Sequence, residues 1–163
     1  MFVSKFQIIF KNFFESDFSD LESSDILESA RNCDILCVCF GPFIQKPLHE
    51  TTLSEWQKIA LFDYALPGLL VSATLPNMMK NHFGRILVFG GTGTSFRSEF
   101  RTNAAYASAK FALNALVSSV AGNYAGYGIT CNAICPGFVE TEYLSQAQKS
   151  TLAEKMPSKK LIS

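Results

Sequence analysis

Arg85-Ile86-Leu87-Val88-Phe89-Gly90-Gly91-Thr92-Gly93-Thr94 is an apolar run that ends directly in a glycine-rich turn. An unbroken apolar core of this length predicts a strand. Downstream, Ser95 to Asn103 is polar and predicts a surface loop. Ala104 to Tyr124 is rich in Ala, Leu, Ser and Val, has no proline, and predicts a helix. Gly126 and Gly128 end it, Ile129 to Ile134 reads as a second strand, and Cys135-Pro136-Gly137 stops that strand. A short helix over Gln146 to Lys155 and a polar tail from Pro157 to Ser163 complete this side.

Upstream, Phe83-Gly84 turns the chain out of a long helix that opens at Ser54-Glu55-Trp56 and lasts to about Asn81. Pro67-Gly68 must kink or split that helix, because proline removes a backbone donor and crowds the preceding turn. Phe43 to Thr52 is a loop, and Ile35 to Phe40, stopped by Gly41-Pro42, reads as a central strand apolar on both faces. Leu21 to Arg31 is a helix with Ser19 or Asp20 as its N-cap, and Lys5 to Phe14, dense in Phe and Ile, reads as a further strand. Strand and helix thus alternate along one domain, residues 1–163, which predicts an α/β fold with a parallel sheet built from right-handed crossovers.

Composition narrows the function. Hydrophobic residues make up 48% and charged residues 17% of 163 positions, enough for a real core. Net charge is zero, so nothing in the composition favours nucleic acid or an anionic membrane. Lys5, Gln7, Lys11 and Asn12 interrupt the apolar N-terminus, and Asp63, Pro67 and Gly68 interrupt Ile59 to Leu75. Neither stretch reads as a signal core or a membrane span, and a cytoplasmic protein is expected. The five cysteines, Cys33, Cys37, Cys39, Cys131 and Cys135, include no Cys-x-x-Cys pair, and His49 and His82 stand alone. Buried free thiols are expected, and no metal.

In open parallel sheets, ligands bind beyond the carboxyl ends of the strands. Gly41, the Gly90 to Thr94 turn, Pro136-Gly137 and the start of the 104–124 helix all fall there. At the head of that helix Tyr106 and Lys110 are four residues apart, hence on one face. A free phenol, with a pKa of about 10, is almost wholly protonated at neutrality. An ammonium about 4 Å away offers on the order of 4 kcal/mol at an effective dielectric near 20, enough to lower that pKa by two to three units before burial opposes it. Such a pair is a proton-transfer device, whereas the plainer reading is a packing contact between neighbours on a helix.

The motifs in their order resemble the short-chain dehydrogenase/reductase family. Asp17-Phe18-Ser19-Asp20 resembles the turn that holds the adenine ring, and Asp34-Ile35-Leu36 with Gly41 the strand ending in Asn-Asn-Ala-Gly. Gly84 to Val88 resembles the strand leading to the catalytic serine, Tyr106 and Lys110 the Tyr-x-x-x-Lys pair, and Asn132 through Pro136-Gly137 to Thr141 the segment closing over the nicotinamide. The resemblance implies a Rossmann-like three-layer sandwich with a truncated parallel sheet, NAD or NADP as cofactor, and hydride transfer to or from a carbonyl or alcohol substrate. It makes Tyr106 the acid/base and Lys110 the residue that lowers its pKa and binds the nicotinamide ribose. It sets Asp17 and Phe18 at the adenine, Gly41 near a ribose, and Pro136, Gly137, Val139 and Thr141 at the nicotinamide end.

The departures from the family pattern are as specific. The serine position falls on Gly91, leaving Thr92 as the first substitute hydroxyl and Thr94 or Ser95 within loop reach. Val38-Cys39-Phe40 replaces Asn-Asn-Ala, and the relay asparagine becomes Asp63, which adds a charge near Lys110. No glycine precedes Asp17, so the phosphate-binding turn has no counterpart, and the chain resembles a family member truncated at both ends. An unpaired apolar edge on the Ile35 to Phe40 strand follows. The alternative expectation is a catalytically inactive relative that works as an interaction module. Under either reading, helices 54–81 and 104–124 are expected to pair subunits of a homo-oligomer.

Overall fold

The computed structural model describes residues 25–142 and 144–162. The expected strand at Lys5 to Phe14, the cap at Ser19 or Asp20, and the adenine-side residues Asp17 and Phe18 lie outside this span.

Three strands, β1 (Ile35–Val38), β2 (Gly84–Phe89) and β3 (Ile129–Ile134), pair in parallel in the order β1-β2-β3. The helices between them are α1 (Asp25–Arg31), α2 (Leu53–Ala60), α3 (Leu66–Asn81) and α4 (Ala104–Tyr124), with α5 (Gln146–Glu154) after β3. Registration sets Leu36 beside Ile86 and Cys131, and Val38 beside Val88 and Ala133. Because strand side chains alternate, these rows share a face, and they form one core with Leu27 of α1, Leu70 and Met78 of α3, and Leu113 and Val120 of α4.

The opposite face differs from expectation. Ile35, Arg85 and Thr130 form one exposed row, and in the next row Cys37 and Asn132 are exposed while Leu87 is half-buried. Among the described residues helices cover one side of the sheet, and the second helical layer of a three-layer sandwich is not among them. Consequently β1 is not buried on both faces, and Cys37 and Cys39, expected as buried thiols, are exposed; of the five free cysteines only Cys131 is fully buried. The outer edge of β1 is unpaired among the described residues.

Pro67 does not split its helix into separate rods. Helical structure runs continuously from Leu53 to Asn81, with a π turn at Leu61–Ala65 between α2 and α3. Proline has no N–H to return to the carbonyl four residues back, and the Leu66 N–H reaches the Leu61 carbonyl, so the ladder absorbs one extra residue. A second proline, Pro76, sits inside α3. The Thr52 side chain and Glu55 form a capping box at the start of α2. By length and composition the 29-residue run Leu53–Asn81 is apolar enough to cross a membrane, with a mean hydropathy of 1.4 over its most apolar 18 residues. In the protein its Leu66, Val71, Thr74 and Met78 are packed into the core. Thr74 and Asn77 also donate hydrogen bonds to the Cys33 carbonyl, fastening α3 to the entry of β1.

The final segment is more than a polar tail. Ile162 forms a parallel bridge with Val139, the Glu140 N–H donates to the Ile162 carbonyl, and the Ile162 N–H donates to the Phe138 carbonyl. The end of the described chain therefore braces the loop that follows β3.

Candidate active site

At the carboxyl end of β2 the chain passes through Gly90 and Gly91 into a turn closed by Thr94. The buried Thr94 hydroxyl accepts from the Gly91 N–H at 2.8 Å and donates to the Gly91 carbonyl at 2.9 Å. Asn114 of α4 donates to the Thr94 carbonyl at 2.7 Å, which ties the turn to the Tyr106 helix. Asn114 carries no motif, and nothing in the sequence marked it.

Gly91 faces the phenol. A Cβ placed there would lie 3.1 Å from Tyr106 Oη and 2.9 Å from its Cε1. Tyr106 therefore packs against bare backbone, in the space that a side chain at this position would need. Thr92, the first substitute for a serine, faces elsewhere: its hydroxyl donates to the Pro136 carbonyl at 3.0 Å, so it serves as a strut between two loops. Thr94 is closer to Gly91 but commits its hydroxyl to that turn.

Tyr106 and Lys110 are brought together as their spacing requires, with Lys110 Nζ 5.8 Å from the Tyr106 ring centroid. Lys110 is 5% exposed and donates to the Phe40 carbonyl at 3.2 Å. Its Nζ also stands 3.1 Å from Asp63 Oδ1, and Asp63 is 0% exposed. Gly41, at φ +141°, lies over this pair: an added Cβ would overlap Asp63 Oδ1 and reach 3.2 Å from Lys110 Nζ.

The electrostatics reverse the expected direction. Burial, the Asp63 carboxylate and the Cys135 thiol push the Tyr106 hydroxyl up to about 12, so Lys110 does not lower it here. Burial pushes Asp63 up to about 6 against the pull of Lys110. The spacing rule located the pair but could not foresee a second partner for the ammonium.

Phe43 packs edge-on against Tyr106, with ring centroids 5.0 Å apart at 82°. The same Phe43 lines a groove of about 620 Å³ with Gln45, Asn103, Phe138, Val139, Thr141, Leu144, Gln148, Leu152 and Lys155. Val139 and Thr141 are thus on the groove. Gly137 is backed by Met156, whose Cε would be 2.6 Å from an added Cβ, and Pro136 is held by Thr92. Gly41, Tyr106 and Lys110 form one cluster, and residues 136–141 form a second beside it.

Residues 14–151 match the family model for short chain dehydrogenases. The chain belongs to the short-chain dehydrogenase family. It is 34% identical over 151 residues to the 3-oxoacyl-[acyl-carrier-protein] reductase FabG of Haemophilus influenzae, covering 88% of this chain and 62% of that one. It is 35% identical over 94 residues to the 2-(R)-hydroxypropyl-CoM dehydrogenase of Xanthobacter autotrophicus, covering 58% of this chain and 37% of that protein. A crystal structure from Beutenbergia cavernae, assigned as an NAD(P)-dependent gluconate 5-dehydrogenase with NADP bound at low occupancy, superposes with a TM-score of 0.77 at 23% identity. That alignment covers 90% of this chain and 62% of the other, and shows the shared Rossmann-type fold. The short-chain dehydrogenase chain thus spans between about a third and two thirds of the length of these relatives.

Proposed function

We propose that the protein is an NAD(P)-dependent oxidoreductase that interconverts a carbonyl and an alcohol, with Tyr106 as the proton donor and acceptor. The reading rests on one observation: a phenol and an ammonium one helical turn apart stand where the parallel strands end, with the phenol packed against the bare backbone of Gly91. Phe43 joins this point to the groove, which is wide enough for a small organic substrate.

The described residues fit the nicotinamide half of a dinucleotide. Gly41 presents bare backbone over Lys110, and Thr141 offers a hydroxyl on the groove. Pro136 and Gly137, fixed by Thr92, Met156 and Ile162, would shape the loop against the ring. When bound, the nicotinamide supplies or takes up the hydride. This chain's part is to hold the substrate oxygen at Tyr106 Oη, move one proton there, and keep water from the reacting carbon with Phe43 and Phe138. A glycine turn for the pyrophosphate is not among the described residues, and Asp17 and Phe18 keep their adenine-side assignment as part of the proposal.

The second reading, an inactive relative acting through its helices, draws support from the exposed face of the described sheet. Titrating the 163-residue chain with NADH and NADPH while following nicotinamide fluorescence separates the two. Saturable binding with turnover abolished in Tyr106→Phe supports the oxidoreductase; absence of binding supports the interaction module. Self-association through 54–81 and 104–124 belongs to both readings, and sedimentation equilibrium tests it.

A further inference from the structure

We propose that Asp63 is a positioning residue that sets the pH range of the site: by pairing with Lys110 it withdraws the ammonium's field from Tyr106 and keeps that phenol protonated through neutral pH. The inference rests on the reading of Tyr106 as the proton-transfer residue and goes beyond it to the residue that governs when the proton is available.

Asp63 is placed for this by backbone geometry. The π turn at Leu61–Ala65 turns its side chain inward, to 0% exposure. There Oδ1 lies 3.1 Å from Lys110 Nζ, and Oδ2 has no hydrogen-bond partner among the described residues. A buried carboxylate oxygen left in that state is costly, so Lys110 is the group that keeps Asp63 ionised. Gly41 closes the pair from above, where any side chain would collide with Oδ1. The ammonium is thus spent as half of a compact ion pair. The field of such a pair falls off faster with distance than that of a lone charge, so less reaches the phenol, whose ring centroid is 5.8 Å from Nζ.

Among the described residues, the titratable groups that face Tyr106 agree with this reading. Lys110 comes from its own helix, Asp63 from the π turn, and Cys135 from the end of β3. The Gly90 to Thr94 turn brings backbone and a hydroxyl, and the Phe43 loop brings a ring. Burial, then Asp63, then Cys135 raise the Tyr106 hydroxyl to about 12, which supports the geometry.

The consequence for chemistry follows by proton count. In reduction the carbonyl carbon gains a hydride, its oxygen gains the Tyr106 proton, and the reduced nicotinamide becomes oxidised. In oxidation the alcohol proton must pass to tyrosinate. With the phenol protonated up to strongly alkaline pH, kcat/KM for reduction is flat across the neutral range. For oxidation it climbs about tenfold per pH unit, as the tyrosinate fraction does. Without Asp63 the freed ammonium lowers the phenol pKa, and both profiles break at lower pH.

The test reads ionisation directly. Tyrosinate absorbance is titrated in the 163-residue chain and in Tyr106→Phe, and the difference gives the Tyr106 midpoint; the same pair is measured in the Asp63→Asn background. Asp63→Asn is expected to lower the midpoint so that the acid constant rises tenfold or more, and an unchanged or raised midpoint overturns the proposal. If Asp63→Asn does not fold, judged by near-ultraviolet circular dichroism, the unsubstituted chain with 13C-labelled tyrosine and aspartate decides. The Tyr106 ring resonance should then shift with the midpoint of Asp63 titration, and absence of a linked shift overturns the proposal. Neither measurement needs turnover, so an inactive chain in which the linkage is found refutes the oxidoreductase reading and leaves the electrostatic one standing.

Discussion

Gly91 lies against Tyr106 so closely that a methyl group on its Cα would sit 3.1 Å from the phenol oxygen and 2.9 Å from the ring. The hydroxyl that a serine would supply at this point is absent, and the space it would fill is partly taken by the tyrosine itself. Gly91→Ala is expected to displace the Tyr106 ring and to destabilise the chain by about 1–3 kcal/mol, the usual range for overpacking. Urea unfolding of the variant measures the loss, and an unchanged midpoint with an unmoved ring would contradict the contact.

Gly41 is constrained twice. Its φ of +141° lies where L side chains rarely go, and its missing Cβ leaves room for Asp63. Gly41→Ala combines backbone strain with a clash against a buried ion pair, each costing on the order of 1–3 kcal/mol. Its loss of stability should exceed that of Gly68→Ala, where an added Cβ meets nothing within 4 Å. Thermal melts of the two variants make the comparison.

Asp63 gives stability a particular pH dependence. Its folded pKa of about 6 lies above its ordinary value of 3.8, so between these pH values the folded chain holds a proton that the unfolded chain has lost. Stability therefore falls as pH rises through that window, by up to about 3 kcal/mol, and Asp63→Asn should remove the slope. Glu55 acts in the opposite sense. Lys46 and the α2 cap hold its carboxyl at about 2, so its contribution is present above its ordinary 4.5 and is lost as pH falls toward 2. Chemical denaturation across the acid range in the unsubstituted chain, Asp63→Asn and Glu55→Gln resolves the two slopes.

Thiol reactivity should follow the sheet's two faces. Cys37 and Cys39 are exposed on β1 and just after it, whereas Cys131 is buried in the core with its thiol pushed up to about 11 by burial. Alkylation of the native chain followed by peptide mass mapping should label Cys37 and Cys39 well before Cys131. Early labelling of Cys131 would mean that the helical layer does not cover β3.

The loop after β3 depends on the end of the chain through Ile162 and Met156. Truncation after Met156 removes Ile162, its bridge to Val139 and both of its backbone hydrogen bonds. The expected result is faster amide exchange at Phe138 to Glu140 with β2 unaffected. Equal exchange with and without the tail would show that the loop holds itself.

Local periodicity and punctuation made much of this legible. The bounds of α4 and β3 follow from composition and from Gly126 and Gly128, and the spacing of Tyr106 and Lys110 places both beside the strand ends. What escaped the sequence depends on three-dimensional company. The apolar run at Ile35 reads as buried on both faces because a strand's own residues cannot report whether a second layer is present. Pro67 signals a disruption without saying that the ladder absorbs it as a π turn, and that choice turns Asp63 inward. The reversal at Tyr106 has the same origin: a spacing of four names a neighbour, but not the third group that claims the neighbour's charge. Sequence position puts Thr92 ahead of Thr94 as the substitute hydroxyl, yet Pro136 holds the first and Gly91 the second.

The Asp63–Lys110 pair also bears on how an anionic ligand would arrive. Because Asp63 already neutralises Lys110 at 3.1 Å, that ammonium projects little attraction into solvent. Long-range steering of a negatively charged molecule should then fall to the exposed Lys155 on the groove, and Lys155→Ala should weaken the dependence of its capture rate on ionic strength.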